Sequence, residues 1–462
     1  MPVILRKSIE LFGPIGIWLP LVLAFLFINL SHIEDGGTAA NARFATLRAM
    51  SDDGTFKIDR YVDWTDDWAK TPDGHYYSNK APGPTFAAFP LFWVLDRVLW
   101  PIQAKHIDEK GRRQAPRGIH KVVVSNLLQV IPFLFLTLLI LRLAFPSGIS
   151  PTAYIAASLT ILFGNTAALL MNTYMGNPFT GLVMLALIYF YLRGNFAAVS
   201  FCFGWALLSE YSVAVLLIPF LGLCYCEMRR TNFVRTLRSV ILGASLPALL
   251  WVWYHIACFG SPFRIPLQFE VMTLPEEVKA NAGEALGFTS LIPNFEILFE
   301  LLFGPVRGIL FTQPWIFLVM ILGFWARPKG KIGEAFLFSV VSLALLLWLN
   351  AGFAGWHGGG TPGPRYLAAI LPCFGIFVPI IYERFSKSWR AVLWISIAVT
   401  IVFRGLVYAG GTLLPAVSLW PYLWSRMDTN FAIVSIISFI MVVLLTAWAL
   451  VHAIRKNPGI KI

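Results

Sequence analysis

Two stretches of the sequence, and two isolated residues, have the types and spacing that chemistry needs. The first stretch, residues 32–83, opens on His32, Ile33, Glu34 and Asp35 and continues through Arg43, Asp52, Asp53, Asp59, Asp66 and Asp67. It ends in Gly74-His75-Tyr76-Tyr77-Ser78-Asn79-Lys80-Ala81-Pro82-Gly83-Pro84. Crowded carboxylates can hold a divalent cation or take a proton from an attacking hydroxyl. A lysine placed just before a Pro-Gly turn has a fixed direction and meets a phosphate as a point charge. Any one of these acids reads as a solvated loop residue, whereas the whole set reads as a site. The second stretch is Trp356-His357-Gly358-Gly359-Gly360-Thr361-Pro362-Gly363-Pro364-Arg365-Tyr366-Leu367. Its glycines permit close backbone approach to a ligand. Arg365 offers a fork of donors that suits a phosphate. Trp and Arg together also anchor chains at a membrane interface, but a run of glycines anchors nothing. Glu210 and Arg404 stand alone in apolar surroundings, where an ionisable group is costly and is a functional candidate by default. Asn172, Tyr174 and Asn177 are weaker candidates that an ordinary turn would equally explain, and Arg307, within the re-entry turn Gly304-Pro305-Val306-Arg307-Gly308, is a candidate second phosphate contact.

The elements that must position these residues are helices in a bilayer. Of the 462 residues 57% are hydrophobic and 13% charged, with a mean hydropathy of +0.70. Soluble chains carry roughly 25% charged residues, so a soluble enzyme, a disordered chain and a nucleic-acid module are excluded. The apolar runs reach about 20 residues without alternation, the length of a membrane-spanning helix. Lipid leaves helices as the choice for runs of that kind. The net charge of +12, from 36 Lys+Arg against 24 Asp+Glu, reads as anchoring on the cytoplasmic side, with no nucleic acid as partner. Cys202, Cys224, Cys226, Cys258 and Cys373 lie in apolar segments without a C-x-x-C pair, so neither a zinc site nor a disulfide framework is indicated.

The first run, Phe12 to Leu30 after Arg6 and Lys7, reads as a retained signal anchor. Within 32–83 the spacing of Phe44, Leu47 and Met50 predicts a short helix over Ala40 to Met50, lying on the membrane surface. Residues 85–102 contain Pro90, Asp96 and Arg97 and are placed in the interface. Residues 195–227 are too long for one span, and are read as a hairpin of two short helices with Glu210 near the outer turn. The expectation is an all-α polytopic bundle of about twelve spans. Its inner ends carry Arg142, Arg193, Arg229, Arg230, Arg235, Arg238, Arg327, Lys329, Lys331, Arg384, Lys387 and Arg390. The basic segment 105–121 opposes that orientation. The outer segments are 32–121, 259–313 and 352–366, in a transmembrane module 1–258 and a C-terminal region 259–462, with no separate soluble domain. No stretch resembles a P-loop or another nucleotide-binding fingerprint.

Residues Asn41-Ala42-Arg43-Phe44-Ala45, Asp53-Gly54-Thr55-Phe56 and Tyr77-Ser78-Asn79-Lys80-Ala81-Pro82-Gly83 follow one another after a first span. With the later Gly-Pro-Arg-Tyr-Leu, this pattern resembles the GT-C superfamily of integral-membrane glycosyltransferases. The likeness is to the branch of protein O-mannosyltransferases and lipid A aminoarabinose transferases. The chain departs from that pattern where Ala40 and Asn41 replace an acidic pair, with Glu34 and Asp35 lying earlier. It departs again where Lys80 is followed by Ala81-Pro82. The resemblance implies a helical bundle with a hydrophilic cavity at the outer face of a bacterial inner membrane. It implies a polyprenyl-phosphate sugar as donor and an envelope glycan, lipid or protein as acceptor, with inversion at the anomeric carbon. The general base would be Asp35, Glu34 or Asp67. Lys80, Arg365 and Arg43 would stabilise the phosphate leaving group, with His75, Tyr77, Glu210, Trp356, His357 and Arg404 as further donor contacts. Some relatives use Mg or Mn and others no metal. The rival expectations are an O-antigen-type polymerase or ligase using a lipid-diphosphate-linked glycan, and a lipid or polysaccharide flippase. A transporter would place broken helices in related halves, and no such halves are visible.

Overall fold

The computed structural model describes residues 15–31, 37–103, 108–109, 111–112, 123–144, 149–269, 289–359, 361 and 363–410, with single positions at 437, 440 and 444. These residues form a polytopic membrane bundle of helices. The helices Val123–Ala144, Tyr211–Arg230, Phe233–Phe259, Gly330–Ala351 and Lys387–Gly405 are long and apolar enough to cross a membrane. Shorter apolar helices accompany them at Leu19–Leu30, Pro151–Leu162, Phe196–Ser209 and Pro314–Ala326. Several starts are set by local chemistry. Ser150 caps the helix Pro151–Leu162, with Pro at its first position, where a missing N–H costs nothing. Asn195 and Asn232 cap Phe196–Ser209 and Phe233–Phe259.

The segment expected to fold back at Glu210 does so. The helix Phe196–Ser209 stops there, Glu210 is extended, and a 3-10 turn over Tyr211–Leu216 leads into the helix Leu217–Arg230. The segment expected to lie in the interface is one helix, Gly83–Gln103, that leaves Trp93, Val94 and Val98 exposed. The helix expected over Ala40 to Met50 begins at Gly37, runs to Arg48 and continues as a π turn over Ala49–Asp53. It does not lie bare on a surface. Ala40 and Ala42 through Arg48 are buried, because the helix packs against Gly83–Gln103 and the 3-10 turn Asp59–Trp64. Its small alanines allow that approach, and its two arginines are buried with acidic partners. Arg48 Nη1 donates to Asp96 Oδ1 at 2.5 Å, with Asp96 only 1% exposed.

One hydrophobic core runs from Leu21 to Val407 and crosses the boundary drawn at residue 258. Helices Gly176–Arg193 and Phe196–Ser209 are joined by a turn at Gly194 and pack together. Gly176 and Glu210 therefore lie at one end of this pair, and Arg193 and Asn195 at the other. At 1.5 Å per residue the two ends are about 20 Å apart.

Candidate functional site

The site is built where the buried helix, a small hairpin and the Glu210 break meet. The hairpin strands Trp68–Lys70 and Tyr76–Ser78 pair antiparallel, with Trp68 opposite Ser78. That register places Asp67 beside Asn79 and Lys80. Asn79 N donates to the Asp67 carbonyl at 3.3 Å, and Asn79 Nδ2 to Asp67 Oδ1 at 3.4 Å. Lys80 Nζ donates to the same carboxylate at 2.9 Å. Burial pushes Asp67 up, but the Lys80 ammonium and hydrogen bonds from Lys80, Thr38 and Asn79 outweigh it and hold the carboxyl below its ordinary value. Asp67 is thus ionised and clasped by Lys80.

The second pair joins Arg43 on the helix Gly37–Arg48 to Glu210. Arg43 Nη2 stands 3.6 Å from Glu210 Oε1, with the Arg43 side chain 3% exposed. Arg43 Nη1 also donates to the Ala39 carbonyl at 3.0 Å. Burial lowers the Arg43 pKa, and the charges of Glu210 and Asp67 oppose that shift. The pair is seated on Gly176. A Cβ at that position would stand 2.2 Å from Glu210 Oε1 and 2.4 Å from Arg43 Nη2, so only glycine leaves room. Tyr174, with φ at 54, is buried against Phe44 and donates its hydroxyl to the Pro84 carbonyl at 2.9 Å. It fastens the Lys80-to-Pro84 turn to the arginine helix.

Arg365 completes the cluster and lies within the electrostatic reach of Glu210 and Asp67. Its Nη2 donates to the Tyr366 hydroxyl at 3.0 Å. The glycine-rich loop closes over it. Gly358, at φ 66, brings the backbone so near that a Cβ would stand 3.3 Å from Arg365 Nε. The loop is held in turn by Arg307, whose Nε and Nη2 donate to the His357 and Gly359 carbonyls at 2.6 and 2.7 Å. The Arg307 guanidinium also lies over the Trp356 ring, 5.9 Å from its centroid. Arg307 therefore shapes the loop. Partial burial and the nearby charges of Arg307 and Arg365 lower the His357 pKa, which favours a neutral ring.

Three cations, Arg43, Lys80 and Arg365, thus face two carboxylates, Asp67 and Glu210. The Nε atoms of Arg43 and Arg365 are buried and find no acceptor among the described residues. Buried donors without a partner are uncommon, and here both belong to guanidinium groups in one positively biased cluster. Such a cluster can receive an anion.

The other expected site residues have other partners. His75 Nδ1 pairs with Asp59 Oδ2 at 2.7 Å near the hairpin turn. Tyr77 is buried against Phe259, with ring centroids 5.6 Å apart, and burial pushes its hydroxyl up to about 12. Arg404 donates to the Leu162 and Ala168 carbonyls, both at 2.8 Å, where the helix Pro151–Leu162 ends. Glu34 and Asp35 lie outside the described residues. Sequence reasoning missed Gly176, which carries no chemistry of its own. It also missed Asp96, whose acid inside an apolar run was the available signal. Among the described residues no three His, Cys, Asp or Glu side chains gather as a metal site. Both acids of the cluster face cations, so these residues do not fit a metal ion.

No protein-family model matches the sequence, and no curated protein matches it. Among solved structures, the chain is similar to ArnT from Cupriavidus metallidurans bound to undecaprenyl phosphate. The TM-score is 0.48 and the identity 14%, over 96% of this chain and 78% of that one. It is also similar to the Archaeoglobus fulgidus oligosaccharyltransferase in the apo form, with TM-score 0.47 and 10% identity over 94% of this chain. The chain spans 56% of the length of that archaeal protein. Both likenesses concern the course of the backbone and bring no residue roles with them.

Proposed function

We propose that the protein is a membrane glycosyltransferase that moves a sugar from a polyprenyl-phosphate donor to a hydroxyl of an envelope glycan, lipid or protein. The observation that carries this reading is the cluster of Arg43, Lys80 and Arg365 around two carboxylates, with the Arg43 and Arg365 Nε atoms finding no acceptor among the described residues. The donor is a phosphodiester that becomes a phosphate monoester and gains negative charge as its bond to sugar breaks, and preorganised cations stabilise that charge more than the ground state. The sequence resemblance to membrane glycosyltransferases points the same way, and the apolar helices give a lipid-linked donor lateral access.

In this mechanism the donor phosphate meets Lys80 and the two arginines. Lys80 then leaves Asp67, whose carboxylate is freed to act as general base. The acceptor oxygen bonds to the anomeric carbon while the bond from that carbon to the phosphate oxygen breaks. The proton of the acceptor goes to Asp67, and the electron pair leaves with polyprenyl phosphate. Glu210 keeps Arg43 in place. Glu34 and Asp35 are the alternative bases. The site opens on the outer face of a bacterial inner membrane, because the opposite end of the helices carries the basic clusters.

The test offers purified full-length protein a panel of polyprenyl-phosphate sugars with a crude envelope extract and follows release of the lipid phosphate. Release with at least one donor is expected. Folded protein that binds polyprenyl phosphate and releases none from any donor would refute the transferase reading.

A further inference from the structure

Glu210 is an extended residue between the helix Phe196–Ser209 and the 3-10 turn Tyr211–Leu216. A break of this kind needs a hold from outside if its carboxylate is to face one partner. The next residue supplies it. Tyr211 reaches across to the helix Phe233–Phe259, where its hydroxyl stands 3.2 Å from His255 Nε2. His255 Nδ1 stands 2.8 Å from the Trp251 carbonyl oxygen. That carbonyl can only accept, so Nδ1 carries the proton of the neutral imidazole and Nε2 is the acceptor. The Tyr211 hydroxyl therefore donates to His255. The imidazole itself has no freedom to turn away. It is fully buried, and the Trp251 ring stacks on it with centroids 4.2 Å apart. Trp251 Nε1 is tied in turn to the Pro262 carbonyl at 2.9 Å. Tyr254 meets the imidazole edge-on at 5.3 Å.

The helices Phe196–Ser209 and Phe233–Phe259 pack closely, so that a Cβ on Gly204 would stand 2.9 Å from Pro247 Cβ. The Tyr211–His255 bond extends that contact past the end of the shorter helix, directly beside the break. Tyr211 also lies within electrostatic reach of both Glu210 and Arg43. Two apolar side chains would fill the same space and leave no polar group unmet. What a Tyr–His pair adds is direction, because a hydrogen bond fixes the angle of the phenol ring and with it the backbone at Tyr211. We infer that His255 is a positioning residue: through Tyr211 it holds the break so that the Glu210 carboxylate faces Arg43. Neither His255 nor Tyr211 touches the reacting atoms. The inference rests on reading the Arg43, Lys80 and Arg365 cluster as the site of the donor phosphate.

The test measures the affinity of the purified full-length protein for polyprenyl phosphate, the leaving group of the proposed reaction, alongside the melting temperature of each variant. Tyr211→Phe, which removes one oxygen, and His255→Leu should each weaken binding about fivefold, the worth of one hydrogen bond. The double variant should bind no worse than either alone. His255→Gln, whose amide oxygen reaches the place of Nε2, should restore binding to within about twofold of wild type. In a Glu210→Gln background Tyr211→Phe should weaken binding no further, while still lowering the melting temperature. Losses that multiply in that background would mean general loosening of the bundle and overturn the inference. Tyr211→Phe keeps the ring and decides the matter by itself where His255→Leu does not fold. Wild-type protein that fails to bind polyprenyl phosphate would refute the donor-phosphate reading and the inference with it. Binding by the wild type with equal affinity in Tyr211→Phe would overturn the inference alone.

Discussion

Lys80 and Asp67 are partners before any substrate arrives, and that has a measurable consequence. An ordinary aspartate titrates near 3.9. Burial raises Asp67, but Lys80, Thr38 and Asn79 together leave it below its ordinary value. A folded value below the unfolded one means that the clasp stabilises the fold in full above the unfolded value. That contribution is lost as pH falls through the folded value. The melting temperature of the wild type should therefore drop along an acid limb below about pH 4 that Asp67→Asn lacks; identical limbs would contradict the clasp. Gly176→Ala makes a second residue-scale test. Its Cβ would meet Glu210 Oε1 and Arg43 Nη2 at 2.2 and 2.4 Å. Overpacking of this kind costs about 1–3 kcal/mol, and the pair must move. Transfer should fall sharply in protein that still folds, and a Gly176→Ala protein with wild-type transfer would refute this seat for the pair. The residue types at the site were legible in the sequence, since Asp67, Lys80, Arg43, Glu210 and Arg365 all stood out by charge and context. Their pairing was not, because Arg43 and Glu210 meet only through the tertiary fold, and Gly176 acts by what it lacks.

Among the elements, the hairpin, the buried helix and the helix Gly83–Gln103 act as one frame. The hairpin sets Asp67 against Lys80 by register. The two helices are tied by Arg48 and Asp96, 2.5 Å apart and both buried. Removing one partner of a buried pair costs about 3–5 kcal/mol, whereas replacing both with apolar groups is often tolerated. Asp96→Ala should thus lower stability markedly in a detergent melt, and Arg48→Met/Asp96→Leu should recover much of the loss. A melt of Asp96→Ala matching that of the wild type would contradict the frame. The short helix after the first span and the break at Glu210 were legible as elements. The burial of that helix was not, since its alanines and paired arginines also suit an exposed helix. Arg307 and Arg404 show the same ambiguity from the other side. Each was a candidate phosphate contact, and each ties backbone carbonyls instead. A buried guanidinium serves either use, and only the fold brings the carbonyls within reach.

The whole molecule is a helical membrane bundle with opposite characters at its two ends. The polar cluster lies where the Gly176–Arg193 and Phe196–Ser209 helices present Gly176 and Glu210, and the basic residue Arg193 lies at their other ends. Composition and the apolar runs made this class legible at once. The continuous core from Leu21 to Val407 was not, because apolar runs do not say which helices touch. The central claim is that Lys80 leaves Asp67 for the donor phosphate and frees the acid as base. The most direct measurement compares release of polyprenyl phosphate from the preferred donor by wild type, Lys80→Ala, Asp67→Asn and Asp35→Asn. The account predicts losses of about 10²–10³ or more in Lys80→Ala and a comparable or larger loss in Asp67→Asn, with Asp35→Asn close to wild type. Wild-type release in Asp67→Asn, with activity lost in Asp35→Asn, would contradict it and move the base outside the clasp.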